Sequence, residues 1–370
     1  MAILAVLVMA TNVAAAPPMW TGLKTLHSGD GLTLYDADFA GHNVAAAWQE
    51  AEGSSSRVGF NFSDDNGNDF SSPPLTPDAR QPAIDQCDGW EPNAAYAEKM
   101  GSSWVIQHTV FEAFDSSFTA QVGQNSGNQH DPDIACAGGR TFVSWFRKVS
   151  GGDRLYVAHA DRGDLDYSTP ILLGSDGDPA YFADMAIAGV SDYAYVAFRL
   201  ASGDLRFRRW HVGGSPDYTV TGFPGMIIGP GTSSEPAFQP VIAAQNDKVA
   251  VAWMTCSAVV ARVSNDNGAT WGPIRTLVEH AACDGDFIAA PNSINIRGDR
   301  IAVEYSAFGI FGDGDEWLIR TTSDFATFQD DKIADHGHLN HLVGYLTIAG
   351  NTKLAAVFQR GENIRFRRQV

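Results

Sequence analysis

The chain has 370 residues, of which 44% are hydrophobic and 18% are charged, and its formal net charge is −18. Binding to a phosphate backbone or an anionic membrane needs a basic surface, so this charge argues against nucleic acid and acidic lipid as partners. Beyond the first residues, the sequence has no apolar run long enough for a transmembrane helix. These features indicate a single compact domain, which we expect to be a monomer.

The N-terminal segment, MAILAVLVMATNVAAA, has an apolar centre and ends in small residues. Val13 and Ala15 fit the positions that precede a signal-peptide cleavage site, although the segment lacks a positively charged start. We therefore predict a signal peptide at residues 1–16, a mature domain at residues 17–370, and a secreted or periplasmic location. A misassigned start codon or a buried first strand is the alternative.

A two-strand unit recurs along the rest of the chain. Each copy has a strand of small residues, a turn, and a β-rich strand that ends in an aromatic residue. The copies end at Trp48, Phe146, Phe198, Trp253, Tyr305 and Phe358, with a weaker copy ending at Ile106. A spacing of roughly 40 to 58 residues is typical of propeller blades. The near absence of a helical period excludes α and α/β folds.

Two eight-residue segments share a further pattern. Ser264 to Trp271, SNDNGATW, follows Ser-x-Asp-x-Gly-x-Thr-Trp, and Ser63 to Phe70, SDDNGNDF, repeats it with Phe for Trp. The Asp can accept backbone N–H groups across a turn, and Gly268 can supply a positive φ. The pattern resembles the Asp-box of the sialidase or BNR-repeat superfamily, whose members are β-propellers that act on or bind glycans. The resemblance implies that the Asp-boxes are scaffold on the face opposite the binding site.

The two ends of the chain match internal strands. The C-terminal ENIRFRRQV resembles GDLRFRRW, which ends at Trp210, and WTGLKTL from Trp20 resembles WGPIRTL from Trp271. The first strand is therefore expected to complete the last blade, which removes an exposed sheet edge. We predict an all-β propeller of seven four-stranded blades, or six if the weak second copy is not a blade.

Candidate site residues occupy the loops that lead into the innermost strands and those that join second and third strands. The candidate catalytic residues are His130, Asp133 and Asp184, and the candidate substrate-binding residues are Gln49, Gln107, Asp131, Arg147, Arg199, His341 and Gln359. His130 beside Asp131 could be an oriented general base. Arg147 and Arg199 directly follow the aromatic residue in neighbouring copies and could clamp a carboxylate or sulfate. Alternatively, each arginine pairs with a nearby Asp and braces the ring.

The catalytic motifs of true sialidases are missing. The chain contains no Arg-Ile-Pro, and the adjacent Glu304 and Tyr305 would point to opposite faces of a strand. We therefore predict a secreted glycan-directed propeller that binds an acidic or sulfated carbohydrate at the mouth of its central channel. A carbohydrate-active enzyme, either glycoside hydrolase or polysaccharide lyase, is favoured over a lectin-like binding protein and over a scaffold for protein interaction.

The remaining expectations concern cysteines and ions. Cys256 and Cys283 are the favoured disulfide pair, and Cys136 is expected to be a small buried apolar residue. No cofactor is expected. Acidic residues at Asp176 and Asp178, and at Asp313, Asp315 and Glu316, offer oxygen ligands for structural calcium or are simply solvated turn residues, and no metal site is assigned.

Overall fold

The computed structural model describes most of the chain from residue 21 onward. The described residues are 21–87, 91–112, 116–123, 127–137, 139–161, 165–173, 180–187, 193–200, 204–211, 220–229, 238–255, 257–279, 289–307, 316–322, 324–327, 329–334, 341–349, 351–360 and 362–369. Within them the chain forms 28 β-strands and no helix. The predicted all-β fold is therefore confirmed. The predicted signal peptide lies outside the described residues, and no helix within them is long and apolar enough to cross a membrane.

The strands form seven four-stranded antiparallel sheets, which we number along the chain. Sheet 1 contains β2 (Thr33–Ala40), β3 (Asn43–Glu52), β4 (Ser55–Ser63) and β5 (Thr76–Pro77). Sheet 2 contains β6 (Ala79–Cys87), β7 (Glu91–Met100), β8 (Ser103–Glu112) and β9 (Ser116–Val122). Sheet 3 contains β10 (Gln129–Ala137), β11 (Arg140–Val149), β12 (Gly152–Asp161) and β13 (Ile171–Leu172). Sheet 4 contains β14 (Ala180–Ile187), β15 (Tyr193–Leu200), β16 (Leu205–His211) and β17 (Val220–Gly229). Sheet 5 contains β18 (Phe238–Gln245), β19 (Lys248–Met254), β20 (Ala258–Ser264) and β21 (Arg275–Glu279). Sheet 6 contains β22 (Ala289–Arg297), β23 (Arg300–Ala307), β24 (Glu316–Thr322) and β25 (Gln329–Ala334). Sheet 7 contains β26 (His341–Ile348), β27 (Asn351–Arg360), β28 (Asn363–Arg368) and β1 (Lys24–Ser28).

Sheet 7 joins the two ends of the chain. Its order is β1-β28-β27-β26, with Lys24 opposite Phe366 and Thr25 opposite Arg365. The first strand of each sheet contacts the first strand of the next, from β2 through to β26, and β26 contacts β2. The matched terminal sequences thus form a pair of strands, β1 and β28, that come from opposite ends of the sequence.

The second strand of each sheet carries most of the core, because neighbouring sheets cover both of its faces. In β3, every residue from Val44 to Trp48 is at most 1% exposed. Trp48, Phe198 and Trp253, three of the recurring aromatic residues, are also each 1% exposed. These aromatic residues are therefore packing residues and present no open ring to a sugar.

The two Asp-box-like loops contain equivalent hydrogen bonds. Asp266 Oδ1 accepts from the Thr270 backbone N–H at 2.8 Å, and the Gly268 N–H donates to Ser264 Oγ at 2.8 Å. Hydrogen bonds from Thr270 and Ser264 lower the pKa of Asp266 to about 2. In sheet 1, Asp65 accepts from the Asp69 N–H at 2.9 Å. Both loops are therefore closed internally by a carboxylate.

Each of these loops also docks on the third strand of the preceding sheet. A Cβ at Gly268 would lie 2.5 Å from Cζ of Phe207, and Arg209 donates to the Asn267 carbonyl at 2.6 Å. The loop of sheet 1 meets sheet 7 in the same way, through Phe366 and Arg368. The repeated Arg-Phe-Arg-Arg sequence, residues 206–209 and 365–368, is thus the docking surface for an Asp-box-like loop.

Sheet 2 corrects the predicted alignment of the weak repeat. The Ala-rich segment that was expected to start an innermost strand is the second strand, β7, and the innermost strand is β6. Gln107 consequently lies on the third strand, β8, and is only 7% exposed. The error arose because small residues recur in both strands, since close sheet packing restricts side-chain size in each.

The described disulfide also differs from the expected one. Cys87 and Cys136 form a disulfide with a Cα–Cα distance of 5.1 Å, so the prediction of Cys136 as a packing residue is wrong. Cys87 is the last residue of β6 and Cys136 is the residue before the last of β10, and these two innermost strands of adjacent sheets lie side by side. Cys256 and Cys283 lie outside the described residues, as do Asp176, Asp178, Asp313 and Asp315; Glu316 begins β24.

Candidate active site at the channel mouth

Six of the seven innermost strands share a bulge close to their first residues, whereas β26 pairs regularly with β27. Register shifts lie between Leu34 and Asp36, Arg80 and Ala83, His130 and Asp133, and Phe238 and Val241. Gln81, Asp131 and Gln239 lie within three of these bulges with φ values of 53°, 46° and 43°. Such conformations are costly for residues other than glycine, and they cluster at functional sites. The bulges thus present non-equivalent side chains at one rim of the channel.

Sheets 1, 2 and 3 each contribute one ionisable side chain to this rim, and the three interact electrostatically: Tyr35, Arg80 and Asp131. Tyr35 is 38% exposed, and its pKa is raised by burial and by Asp131, with Arg80 acting in the opposite direction. Burial lowers the pKa of Arg80, against the opposing effect of Asp131. The Arg80 guanidinium carbon lies over the Trp104 ring, 3.9 Å from its centroid. This cation–π contact holds the guanidinium in place beside the mouth.

The Asp131 side chain connects sheets 2 and 3. Gln81 Nε2 donates to Asp131 Oδ1, and the Asp131 N–H donates to Gln81 Oε1 at 3.3 Å. The other carboxylate oxygen of Asp131 lies 2.9 Å from His130 Nδ1. Two bulged residues of neighbouring sheets therefore hold each other and the adjacent histidine.

His130 lies between two carboxylates and is partly open to solvent. Its Nε2 is 3.5 Å from Asp153 Oδ1, its ring stacks on Phe146, and 20% of its side chain is exposed. The hydrogen bond to Asp131 is the main cause that raises the pKa of His130. The predicted contact between His130 and Asp131 is present, and it orients the imidazole.

Three further predicted site residues, the catalytic candidates Asp133 and Asp184 and the substrate-binding candidate His341, lie on innermost strands. Asp133 Oδ1 accepts from the Ile134 N–H at 2.8 Å, so this oxygen caps the backbone beside the bulge. Asp184 lies on β14, and His341 is the first residue of β26. The structure does not describe the side chains of these two residues.

The three glutamines predicted to bind substrate hydrogen-bond instead within the protein. Gln49 Oε1 accepts from the Gln81 N–H at 2.9 Å, and Gln107 Nε2 donates to Glu98 at 2.7 Å. Gln359 accepts from the Leu34 N–H at 3.0 Å and donates to the Leu32 carbonyl at 2.7 Å. The amides of Gln49 and Gln359 brace the strands around the mouth, because the bulges leave backbone groups that sheet pairing does not satisfy.

Carboxylates below the mouth likewise join neighbouring innermost strands. Asp36 Oδ2 accepts from the Ile84 N–H at 2.7 Å, and Asp85 Oδ2 accepts from the Cys136 N–H at 2.6 Å. Burial, followed by the neighbouring Asp38, holds the pKa of Asp85 well above its ordinary value. These groups belong to the scaffold of the channel wall.

Arg147 and Arg199 occupy equivalent positions in sheets 3 and 4. Arg147 pairs in register with Gln129 and lies against Gly127, whereas Arg199 pairs with Tyr181 and Leu205. The clamp between the two guanidiniums stays a prediction.

Sequence reasoning missed Tyr35, Arg80, Gln81 and Trp104. A usable signal was present: Gln81-Pro82, Asp131-Pro132 and Gln239-Pro240 are equivalent dipeptides that precede a small-residue strand. Aligning them would have moved the start of sheet 2 to β6 and brought Arg80 and Gln81 to the mouth.

No protein-family model matches the chain, and no curated protein matches it. Among solved structures, the chain is similar to a PL25 ulvan lyase, with 8% identity and a TM-score of 0.61 over 92% of this chain and 93% of that chain. It is also similar to polysaccharide lyase Uly1, with 8% identity and a TM-score of 0.53 over 90% and 89%. The β-propeller domain of the Trilobed protease from Pyrococcus furiosus matches at 10% identity and a TM-score of 0.50 over 92% and 93%.

These likenesses define the class of protein that the chain represents. It has the fold of the ulvan lyase and of the β-propeller domain of the protease, and is therefore a β-propeller. Because lyases and the propeller domain of a protease match at similar identities, the fold alone does not decide the activity. The side chains at the mouth must therefore carry the functional argument.

Proposed function

We propose that the protein is a polysaccharide lyase that cleaves a uronate-containing glycan by β-elimination at the channel mouth. The observation that carries this proposal is the contact of His130 with Asp131, a carboxylate that also interacts electrostatically with Tyr35 and Arg80. β-Elimination needs a cation to neutralise the uronate carboxylate, a base to remove the neighbouring C–H proton, and an acid to protonate the departing oxygen.

Arg80 is suited to the uronate carboxylate. Its guanidinium is planar, keeps its charge at working pH, and can donate two parallel hydrogen bonds to a carboxylate. The cation–π contact with Trp104 holds this fork in place before substrate arrives. Neutralising the carboxylate makes the adjacent C–H bond more acidic, because the negative charge that develops on proton removal is stabilised.

His130 and Tyr35 are suited to the two proton transfers. Neutral His130 takes the C–H proton, and the electron pair of that bond forms a C=C bond as the glycosidic C–O bond breaks. Tyr35 donates its phenolic proton to the departing oxygen. Burial and Asp131 raise the pKa of Tyr35, so the phenol keeps this proton at alkaline pH, where His130 is neutral.

The Cys87–Cys136 disulfide supports the proposed export of the protein. Structural disulfides persist in oxidising compartments and are rare in the cytosol. A secreted or periplasmic location would also give the protein access to extracellular polysaccharide.

The test is the appearance of an unsaturated uronate, followed by its ultraviolet absorbance, on glucuronate-containing, sulfated and neutral polysaccharides. We expect product from the uronate substrates only, and a loss of roughly 100-fold or more in kcat for His130→Gln. His159→Gln, which changes a half-buried histidine elsewhere in sheet 3, is the matched control and should retain activity.

The outcomes separate the candidate functions. Saturated products would show hydrolysis and overturn the lyase proposal. Tight binding of an acidic glycan with no product from any substrate would favour the lectin-like alternative.

A further inference from the structure

One face of the β11–β12 hairpin carries an aromatic pair beside an arginine pair. Trp145 lies directly opposite Tyr156, with ring centroids 6.0 Å apart and an interplanar angle of 20°. Two residues nearer the mouth, Arg147 lies directly opposite Arg154. Directly opposed residues, and alternate residues of a strand, point to the same side, so all four side chains share the face turned toward sheet 2.

A cavity lies against this face. Its volume is about 210 Å³, and it is lined by Gln129, Trp145, Arg147, Tyr156, Thr169 and Pro170. A water molecule in the liquid takes about 30 Å³, so the cavity has room for one sugar ring. Trp145 is only 2% exposed and forms a wall of the cavity, while Tyr156 is partly exposed.

One member of the arginine pair, Arg147, lines the cavity, and Arg154 lies directly opposite it. Like charges directly opposite each other on a sheet are unfavourable unless an anion lies between them. Nη1 of Arg154 is buried and has no hydrogen-bond partner within the described residues. A carboxylate or sulfate group at the rim of the cavity would accept from this donor.

The cavity adjoins the proposed reaction site. Gln129 lines the cavity, and the next residue, His130, belongs to the site but points to the opposite face of β10, so the two meet only around the end of this strand. A glycan whose reacting sugar contacts His130 can therefore continue across the end of β10 toward sheet 2. We propose that this cavity is a second subsite that holds an acidic sugar of the same chain, with its ring against Tyr156 and its anionic group on Arg147 and Arg154. This inference rests on the proposed function and extends it to substrates with at least two acidic residues.

Sheet 4 supplies a matched control. Its register places Arg206 opposite Phe198, not opposite Arg199, and Arg206 lies 3.7 Å from Asp204. The arginine pair of sheet 3 is therefore not reproduced there, although both sheets have arginines near the same strand ends. Arg206→Gln removes a similar charge without touching the cavity.

The experiment titrates purified protein with uronate-containing, sulfated and neutral oligosaccharides of two and six sugars, by calorimetry. We expect Arg147→Gln and Arg154→Gln each to weaken binding of acidic hexasaccharides roughly tenfold, and the double variant to lose less than the product of the two. Disaccharides that fill only the mouth, and hexasaccharide binding by Arg206→Gln, should be unchanged. The uronate and sulfate series identify which anion the subsite prefers.

Unchanged hexasaccharide affinity in folded Arg154→Gln would overturn the subsite, as would equal binding of neutral hexasaccharides. Should Arg154→Gln fail to fold, Arg154→Lys replaces it, since lysine keeps the charge but lacks the planar guanidinium. Unchanged hexasaccharide affinity in both Arg154→Lys and Arg147→Gln would then overturn the subsite. Calorimetry does not depend on turnover. A protein that has no lyase activity but whose glycan binding depends on Arg154 would contradict the lyase proposal and support the subsite. A protein that has lyase activity but whose glycan affinity does not change on substitution of Arg154 would support the lyase proposal and contradict the subsite.

Discussion

Two equivalent loops, residues 63–70 of sheet 1 and 264–271 of sheet 5, define what we call the Asp-box face. Both make the same contacts, with a glycine on Phe366 or Phe207 and an arginine on a loop carbonyl. On the mouth face, six innermost strands share the bulge but not the side chains, since Tyr35, Gln81 and Asp131 occupy it on three consecutive sheets. Repetition on one face preserves docking between sheets. Divergence on the other allows one asymmetric site, as expected when function occupies loops on a regular scaffold.

Tyr35→Phe should produce the largest effect and confine it to the mouth face. Loss of the phenolic proton donor should lower kcat for a uronate polysaccharide by about 10²–10⁴-fold. The melting temperature should stay unchanged, because the side chain is 38% exposed. Near-normal kcat in a folded Tyr35→Phe protein would remove Tyr35 from the mechanism.

Gly268→Ala should do the opposite, with a loss of stability on the Asp-box face and no change in glycan affinity. The added Cβ meets the Phe207 ring, and the φ of 74° is strained for alanine. We expect a loss of about 2–4 kcal/mol by urea unfolding. Gly298→Ala is the control, because its φ of 59° is similar but nothing lies within 4 Å of its Cβ, so it should cost only about 1 kcal/mol. Equal losses would show that the contact with Phe207 contributes nothing.

His108 provides a pH-dependent test of the scaffold. It is 1% exposed, contacts Asn93 and Tyr167, and burial lowers its pKa to about 3. The unfolded chain therefore binds this proton first, so stability should fall as the pH drops from about 6.5 toward 3. His108→Gln should flatten that part of the profile in thermal melts. An unaltered slope would assign the acid sensitivity to other groups.

Asp85 should show the reverse dependence, with the smallest effect. Its folded-state pKa lies well above the unfolded value, so its contribution is present at low pH and is lost as the pH rises through the folded pKa. Asp85→Asn should therefore gain stability relative to the parent as the pH is raised, while one oxygen still accepts from the Cys136 N–H. A constant difference at every pH would contradict the account of Asp85.

Local patterns explain how much of the fold was predictable. The Asp-box-like loops and the Arg-Phe-Arg-Arg segments each lie within eight consecutive residues, so the local sequence is enough to predict them. The start of sheet 2 was misplaced because Ala-rich strands look alike wherever sheets pack closely. The Cys87–Cys136 disulfide depends on which innermost strands are neighbours, and spacing along the chain does not encode that.

The site was only half predictable for a related reason. The pairing of His130 with Asp131 is a contact between sequence neighbours and could be inferred. Arg80 reaches the mouth only because a bulge shifts the register of β6, and its position depends on Trp104 two strands away. Gln49, Gln107 and Gln359 hydrogen-bond within the protein, and sequence alone does not reveal this, because a polar residue on a strand can brace the structure as readily as it can bind a ligand.

Hydrogen exchange with and without an acidic hexasaccharide tests the division between the two faces most directly. The account predicts new protection at residues 33–36, 79–84 and 129–133, which surround Tyr35, Arg80 and His130. The loops at residues 63–70 and 264–271 should exchange at the same rate in both states. Saturating ligand that protects those two loops and leaves the starts of the innermost strands unchanged would contradict a site at the channel mouth.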